Sequence, residues 1–128
     1  GEKGVFIGGG ISLAHNPSLT LLMVATLRGF PFHWPMGTDQ ILMVSLGTGL
    51  LVNKYSDADL TKMNLLAWAG MLPDHFMTDA NYYNQLIMQI LSDSPTATKI
   101  DSEVGDLKYD SLNGAHALSY LRYDVPFE

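Results

Sequence analysis

The sequence predicts an α/β fold with a mainly parallel sheet. Three observations carry that prediction. A short apolar run, Val5-Phe6-Ile7, meets a glycine triplet, Gly8-Gly9-Gly10. A long apolar segment opens at Asn16-Pro17. A second continuous apolar run, Ile41 to Leu46, ends in Gly47-Thr48-Gly49. Strand, helix and strand within about 40 residues form a βαβ unit, whose strands are parallel and whose crossover is right-handed. Both glycine turns then fall at one carboxyl edge, where open α/β sheets bind their ligands.

The first strand is read as Val5 to Ile7, reaching Gly8. Its unbroken apolar character suits a strand buried on both faces. Asn16 is a good N-cap and Pro17 occupies the favoured first helical position. The helix runs from Pro17 to about Leu27 and is apolar almost all round, so cover on most sides is expected. Arg28 falls in its last turn, with Gly29 as the C′ residue. Phe30 to Gly37 is a proline-containing loop, and Phe30, Phe32 and Trp34 are expected to fold it onto the domain. The second strand is Ile41 to Leu46.

Lys54 to Thr61 reads as a polar, mobile stretch. Lys62 to Leu72 has helical spacing and ends at Pro73, after which a second helix covers Asp74 to Leu91. Phe76, Ala80, Tyr83, Ile87 and Ile90 make its apolar stripe. Ser92-Asp93-Ser94-Pro95 breaks the pattern. Thr96 to Ile100 is a candidate third strand, Lys99 to Asn113 a charged loop, and Leu118 to Val125 a last strand.

Composition narrows the function. The 128 residues make one domain or part of one, 47% apolar and only 16% charged. Net charge is −6, and the seven Lys and Arg are scattered, which argues against a nucleic-acid partner. The absence of Cys excludes disulfides and thiolate metal sites. No apolar run approaches the ~20 residues of a membrane span. The chain starts Gly-Glu-Lys without an initiator Met or signal peptide, so a processed or excised piece is expected.

The motifs exclude much. Gly8-Gly9-Gly10 is followed by Leu13 where a dinucleotide fingerprint needs glycine, and Gly47-Thr48-Gly49 fails likewise at Val52. Neither turn leads to a phosphate-binding Gly-Lys-Ser/Thr. Each cluster is either a tight turn or a place where a reacting group approaches the backbone. His15, His33, His75 and His116 have no metal-ligand spacing, so no metal or cofactor is expected. His15 stands out because it lies in the loop beside the first glycine turn. Neither Ser12 nor Ser45 has the flanking glycines of a G-x-S-x-G nucleophile turn. The seven Met residues, Trp68 and the Tyr82-Tyr83 pair read as core packing.

Taken together, Gly8-Gly9-Gly10, Ala14-His15-Asn16-Pro17-Ser18 and Val44-Ser45-Leu46-Gly47-Thr48-Gly49 resemble the C-terminal portion of patatin-like phospholipases of bacterial type. The tail Leu118-Ser119-Tyr120-Leu121-Arg122-Tyr123 is similar to a late Tyr-x-Arg strand of that family. The resemblance spans most of residues 1–128 and is weaker between Leu50 and Ala117. It implies one domain of a three-layer α/β/α fold whose N-terminal half is absent, with a lipid or acyl ester as substrate. It also implies a Ser-Asp dyad, in which a carboxylate activates a serine and backbone N–H groups stabilise the oxyanion. The family's Asp-Gly-Gly reads Gly8-Gly9-Gly10 here, and its Asn-Asn-Pro-Ser reads His15-Asn16-Pro17-Ser18. The catalytic position is therefore Gly8, flanked by Gly9, Gly10, Asn16 and Pro17. With no side chain at Gly8 and no G-x-S-x-G serine, this chain is expected to be inactive. The alternative is a non-catalytic relative that keeps the fold to bind lipid or protein. Either way, a missing half of the domain or self-association is expected to cover its open faces, and a peripheral place at a membrane surface is compatible with the family.

Overall fold

A computed structural model describes residues 15–51 and 57–127. The expected first strand and its Gly8-Gly9-Gly10 turn lie outside the described residues. Helix α1 spans Ser18–Thr26 and strand β1 Leu42–Leu46. Strand β2 is Leu50–Leu51, helix α2 Asp57–Lys62 and helix α3 Leu65–Leu91. Strands β3, β4 and β5 are Ser92–Asp93, Leu118–Tyr123 and Pro126–Phe127. All described strand pairs are parallel. One sheet has the order β1-β4-β3, and β2 pairs with β5 beyond it. This is an α/β architecture, as the apolar runs and their spacing predict.

The β1–β4 register pairs Leu42 with Ser119 and Leu46 with Tyr123, and the β2–β5 register resumes at Leu50 and Pro126. Gly47, Thr48 and Gly49 therefore face only Asp124 and Val125. One extra residue on the glycine side makes a bulge-like break in the ladder, of the kind that re-aims side chains beside functional sites.

The core lies on one face of the sheet. Leu22 of α1, Ile41 and Met43, Met88 of α3, and Leu118 and Tyr120 form a single buried cluster. Alternation on β1 and β4 puts Met43, Leu118 and Tyr120 on this face. Leu42, Val44 and Leu46 point the other way and are exposed, as is Tyr123. Among the described residues that second face is only partly covered, by the segment carrying Phe32, Trp34 and Thr38, although parallel sheets are ordinarily covered on both. Helix α1, expected to be buried almost all round, likewise buries only Ser18, Leu22 and Ala25.

Five local expectations are corrected. Helix α1 stops at Thr26, where the Leu27 N–H closes on the Met23 carbonyl at 2.9 Å, so Arg28 and Gly29 lie past its end. Asp57–Lys62 is helical rather than a mobile loop. Pro73 does not divide two helices; α3 runs through it for 27 residues, opened by Asn64, whose side chain accepts the Ala67 N–H at 2.9 Å. Proline forfeits one ladder bond, and the carbonyl it frees, on Ala69, sits in an exposed turn that water can satisfy. Thr96 to Ile100 is not a strand. Helix α3 passes directly into β3, and the Thr98 backbone is engaged by the Gln89 side chain instead of by the sheet.

The fifth correction concerns which side of α3 is buried. The apolar stripe is not the inward face: Phe76 and Tyr83 are exposed, as are Tyr82 and Trp68. The buried positions of its C-terminal half are Asn81, Asn84, Gln85, Met88 and Gln89. At ~100° per residue these fall on the side of the helix opposite Phe76 and Tyr83. The methionines divide as well, with Met43, Met71 and Met88 buried and Met23 and Met36 exposed. In the loop after α1, Trp34 N–H binds the Ala25 carbonyl at 2.8 Å, which lays the segment along the helix. Phe32 and Trp34 stay exposed at the rim of an apolar groove of about 360 Å³.

Tyr120 is fully buried, and its hydroxyl has no hydrogen-bond partner among the described residues. A buried, unpaired hydroxyl destabilises the folded state, so its removal is favourable wherever the ring still fills the space. Tyr120→Phe is expected to leave stability unchanged or raise it by about 1 kcal/mol. Urea unfolding checks this; a loss of more than ~1 kcal/mol means that the hydroxyl has a partner in solution.

Candidate functional site

At the carboxyl ends of β1 and β4 lies a cavity of about 440 Å³. Its walls come from four places in the chain. His15, Pro17 and Ser18 belong to the start of α1, Ser45 to Gly49 to the end of β1 and its turn, and Arg122 and Asp124 to the end of β4. Asn81 of α3 closes it from the side.

The helix start is held by a buried amide. Asn16 is completely buried, and its Oδ1 accepts the Ser18 hydroxyl at 2.8 Å and the Ser18 N–H at 3.4 Å. Its Nδ2 donates to Asn81 Oδ1 at 3.3 Å. The N-cap predicted at Asn16 is corrected: the helix begins at Ser18, Pro17 takes the cap position rather than the first helical one, and no side chain caps the helix there. The larger role of Asn16 is to join α1 to α3, which supports the cavity wall that Pro17 and Ser18 form.

Across the cavity a charged pair ties the ends of β1 and β4. Arg122 Nη1 donates to Ser45 Oγ at 2.7 Å, and Arg122 Nη2 bridges to Asp124 Oδ2 at 2.6 Å. Asp124 Oδ1 accepts the Gly49 N–H at 2.9 Å. Both side chains are largely buried, with 11% and 14% of their surface exposed. Ser45 therefore receives a hydrogen bond from a permanent cation, and among the described residues no base takes a proton from it. The described walls carry hydroxyls and an amide but no paired nucleophile and base, and the Gly47 and Gly49 N–H groups are already bound to Tyr123 and Asp124.

The sequence-predicted positions fare unequally. Pro17 lines the cavity, as do Ser45 to Gly49, whereas Asn16 is fully buried and does not line it. His15 is exposed at the cavity rim, whereas His33 contacts the Arg28 carbonyl at 3.2 Å well along the loop. Gly8, Gly9 and Gly10 lie outside the described residues. Asn81 and Asp124 were not singled out from the sequence. For Asp124 a signal exists: Arg122 and Asp124 are two apart on an extended segment, so they share a face. For Asn81 there is none, because its partner is 65 residues away. Among the described residues no group of three His, Cys, Asp or Glu could hold a metal ion. No described helix is long and apolar enough to cross a membrane.

These features define an α/β protein with a parallel sheet and a cavity at its carboxyl edge. No protein-family model, curated protein or solved structure matches the chain.

Proposed function

We propose that the chain is the C-terminal portion of a patatin-like lipid acyl hydrolase domain, of three-layer α/β/α type, and that it is inactive as written. One observation carries the reading. Two of the motifs behind the resemblance, His15-Asn16-Pro17-Ser18 and Ser45-Leu46-Gly47-Thr48-Gly49, are far apart in sequence, yet His15, Pro17 and Ser18 of the first and all five residues of the second line one carboxyl-edge cavity. That is where an α/β hydrolase needs them. The exposed apolar face of β1 also suits a sheet that a further layer covers. A second reading, a non-catalytic relative that binds lipid or protein, is favoured by Gly8, which has no carboxylate to activate a serine.

The gene separates the two. The acyl hydrolase reading requires a G-x-S-x-G serine and a glycine-rich oxyanion loop in the same reading frame ahead of Gly1; a frame without that serine leaves the binding reading. The chain alone, given p-nitrophenyl butyrate or a phospholipid vesicle, is expected to show only the buffer rate of hydrolysis. Robust turnover by it would overturn the dyad assignment.

A further inference from the structure

The break in the β1–β4 ladder is shaped by a side chain from the opposite strand. A Cβ at Gly47 would overlap the Asp124 carboxylate, all three of whose terminal atoms crowd that point. Gly47 is thus a glycine because Asp124 occupies the space of its side chain. Gly49 is a glycine for a different reason: its φ of +106° lies in the region that favours residues without a Cβ. Its N–H is aimed at Asp124 Oδ1 by that same conformation. Gly47 N–H donates to the Tyr123 carbonyl at 2.8 Å, so both ends of the turn are bound to the β4 segment.

Asp124 is itself held. Arg122 grips its second oxygen and uses its other terminal nitrogen on Ser45, the β1 residue two before Gly47. The Arg122 backbone is fixed in turn, its N–H donating to Thr96 Oγ1 at 2.9 Å. The chain of contacts runs from the loop after β3, through Arg122 and Asp124, to the backbone of the Gly47–Gly49 turn.

We propose that Arg122 and Asp124 are a positioning pair that sets the backbone of the Gly47-Thr48-Gly49 turn and so the shape of one wall of the cavity. The pair is a lock rather than a reacting group, since the guanidinium and carboxylate are committed to each other and to Ser45 and Gly49. This holds whether the cavity serves an acyl hydrolase or a binding protein, because nothing in it depends on a reaction.

The test is a double-mutant cycle of Gly47→Ala and Asp124→Ala, read by urea unfolding and by amide hydrogen exchange in NMR. With Asp124 present, Gly47→Ala is expected to lower the folding equilibrium constant ~10-fold or more; in the Asp124→Ala background the same change lowers it less than ~3-fold. Asp124→Ala alone is expected to speed Gly49 exchange ~10-fold or more, with Tyr120 exchange in the middle of β4 nearly unchanged. Asp124→Asn keeps an oxygen for the Gly49 N–H but turns an amide N–H toward the Arg122 guanidinium, so it is expected to speed Gly49 exchange more than ~3-fold yet less than Asp124→Ala does. Equal losses for Gly47→Ala in both backgrounds would overturn the proposal. So would Gly49 exchange that ignores Asp124→Ala, or an acceleration shared equally by Tyr120, which would make the pair a general contributor to stability.

Discussion

On the acyl hydrolase reading, a reading frame that carries a G-x-S-x-G serine ahead of Gly1 is expected to gain ~10³-fold or more in ester hydrolysis from Gly8→Asp. A serine hydroxyl is a weak nucleophile at neutral pH unless an adjacent base takes its proton. In the dyad that the resemblance implies, the only such base is the carboxylate at the position of Gly8. Removing a member of a comparable nucleophile–base unit costs ~10⁴-fold or more in kcat, and the residual rate comes from binding and the oxyanion site. Restoring the carboxylate should therefore act on kcat, with KM changed little, because the acid contacts the serine and not the acyl chain. The same substitution in the 128-residue chain alone is expected to give nothing. Its best-placed hydroxyl, Ser45, accepts a hydrogen bond from Arg122 and has no described route for losing its proton. The measurement is initial-rate hydrolysis of p-nitrophenyl esters by the four proteins, long and short, each with glycine or aspartate at position 8. A gain below ~3-fold in the serine-bearing protein would remove the case for Gly8 as the vacated catalytic position.

How far the fold could be read depended on whether a signal was local. Strand β1 and helix α1 fall within one or two residues of their predicted limits, because each is an apolar run closed by residues that end it: Gly47 for β1, Asn16-Pro17 for the start of α1. The parallel character of the sheet was legible as a class, but the pair predicted to show it, Val5 to Ile7 with β1, includes residues outside the described ones, and the observed β1–β4 and β3–β4 pairs were not predicted. The reading of α3 failed for a non-local reason. Periodicity locates a stripe of apolar residues, yet it cannot say which face meets the rest of the chain. Here the inward face carries Asn81, Asn84, Gln85 and Gln89, whose amides are paired with α1, with the backbone of α3 itself, with each other or with the backbone after β3. Polar residues can line an interior face when each group has a partner. Those partners lie up to 65 residues away and leave no trace in the spacing. Thr96 to Ile100 was misread through the same contacts.

The site divides along the same line. Its glycines and its Asn-Pro were legible because tight backbone geometry demands particular residues. Facing walls, the Asn16–Asn81 joint and the Asp124–Gly49 contact were not, since each joins elements that meet only in the folded chain.

Gln89 is the single side chain on which the loop after β3 depends most. It is fully buried. Its Nε2 donates to the Thr98 and Asp106 carbonyls at 3.0 and 2.7 Å. Its Oε1 accepts from Gln85 Nε2 at 2.7 Å and from the Thr98 N–H at 3.1 Å. Gln89→Leu fills most of the volume but leaves two carbonyls, one N–H and an amide without partners. At ~1–3 kcal/mol for each buried group left unpaired, and with water reaching some of them once the loop lifts, the expected loss is about 3 kcal/mol. Exchange of the Thr98 amide should accelerate more than that of Tyr120. Gln89→Glu tests the direction of the hydrogen bonds at constant size. It keeps the acceptor for Gln85 and Thr98 but turns oxygen toward the Thr98 and Asp106 carbonyls. Burial and those carbonyls disfavour the charged form, so the introduced carboxyl should titrate above the ordinary ~4.3 when folded. The folded state then binds its proton more tightly than the unfolded state does. Stability relative to the parent is accordingly greatest below about pH 4, where the acid can donate to one carbonyl, and falls as pH rises through the folded pKa. Urea midpoints of the parent and both variants between pH 4 and 8 provide the check. A Gln89→Leu loss under ~0.5 kcal/mol, or a Gln89→Glu difference that does not grow with pH, would mean that the loop is held by something other than this amide.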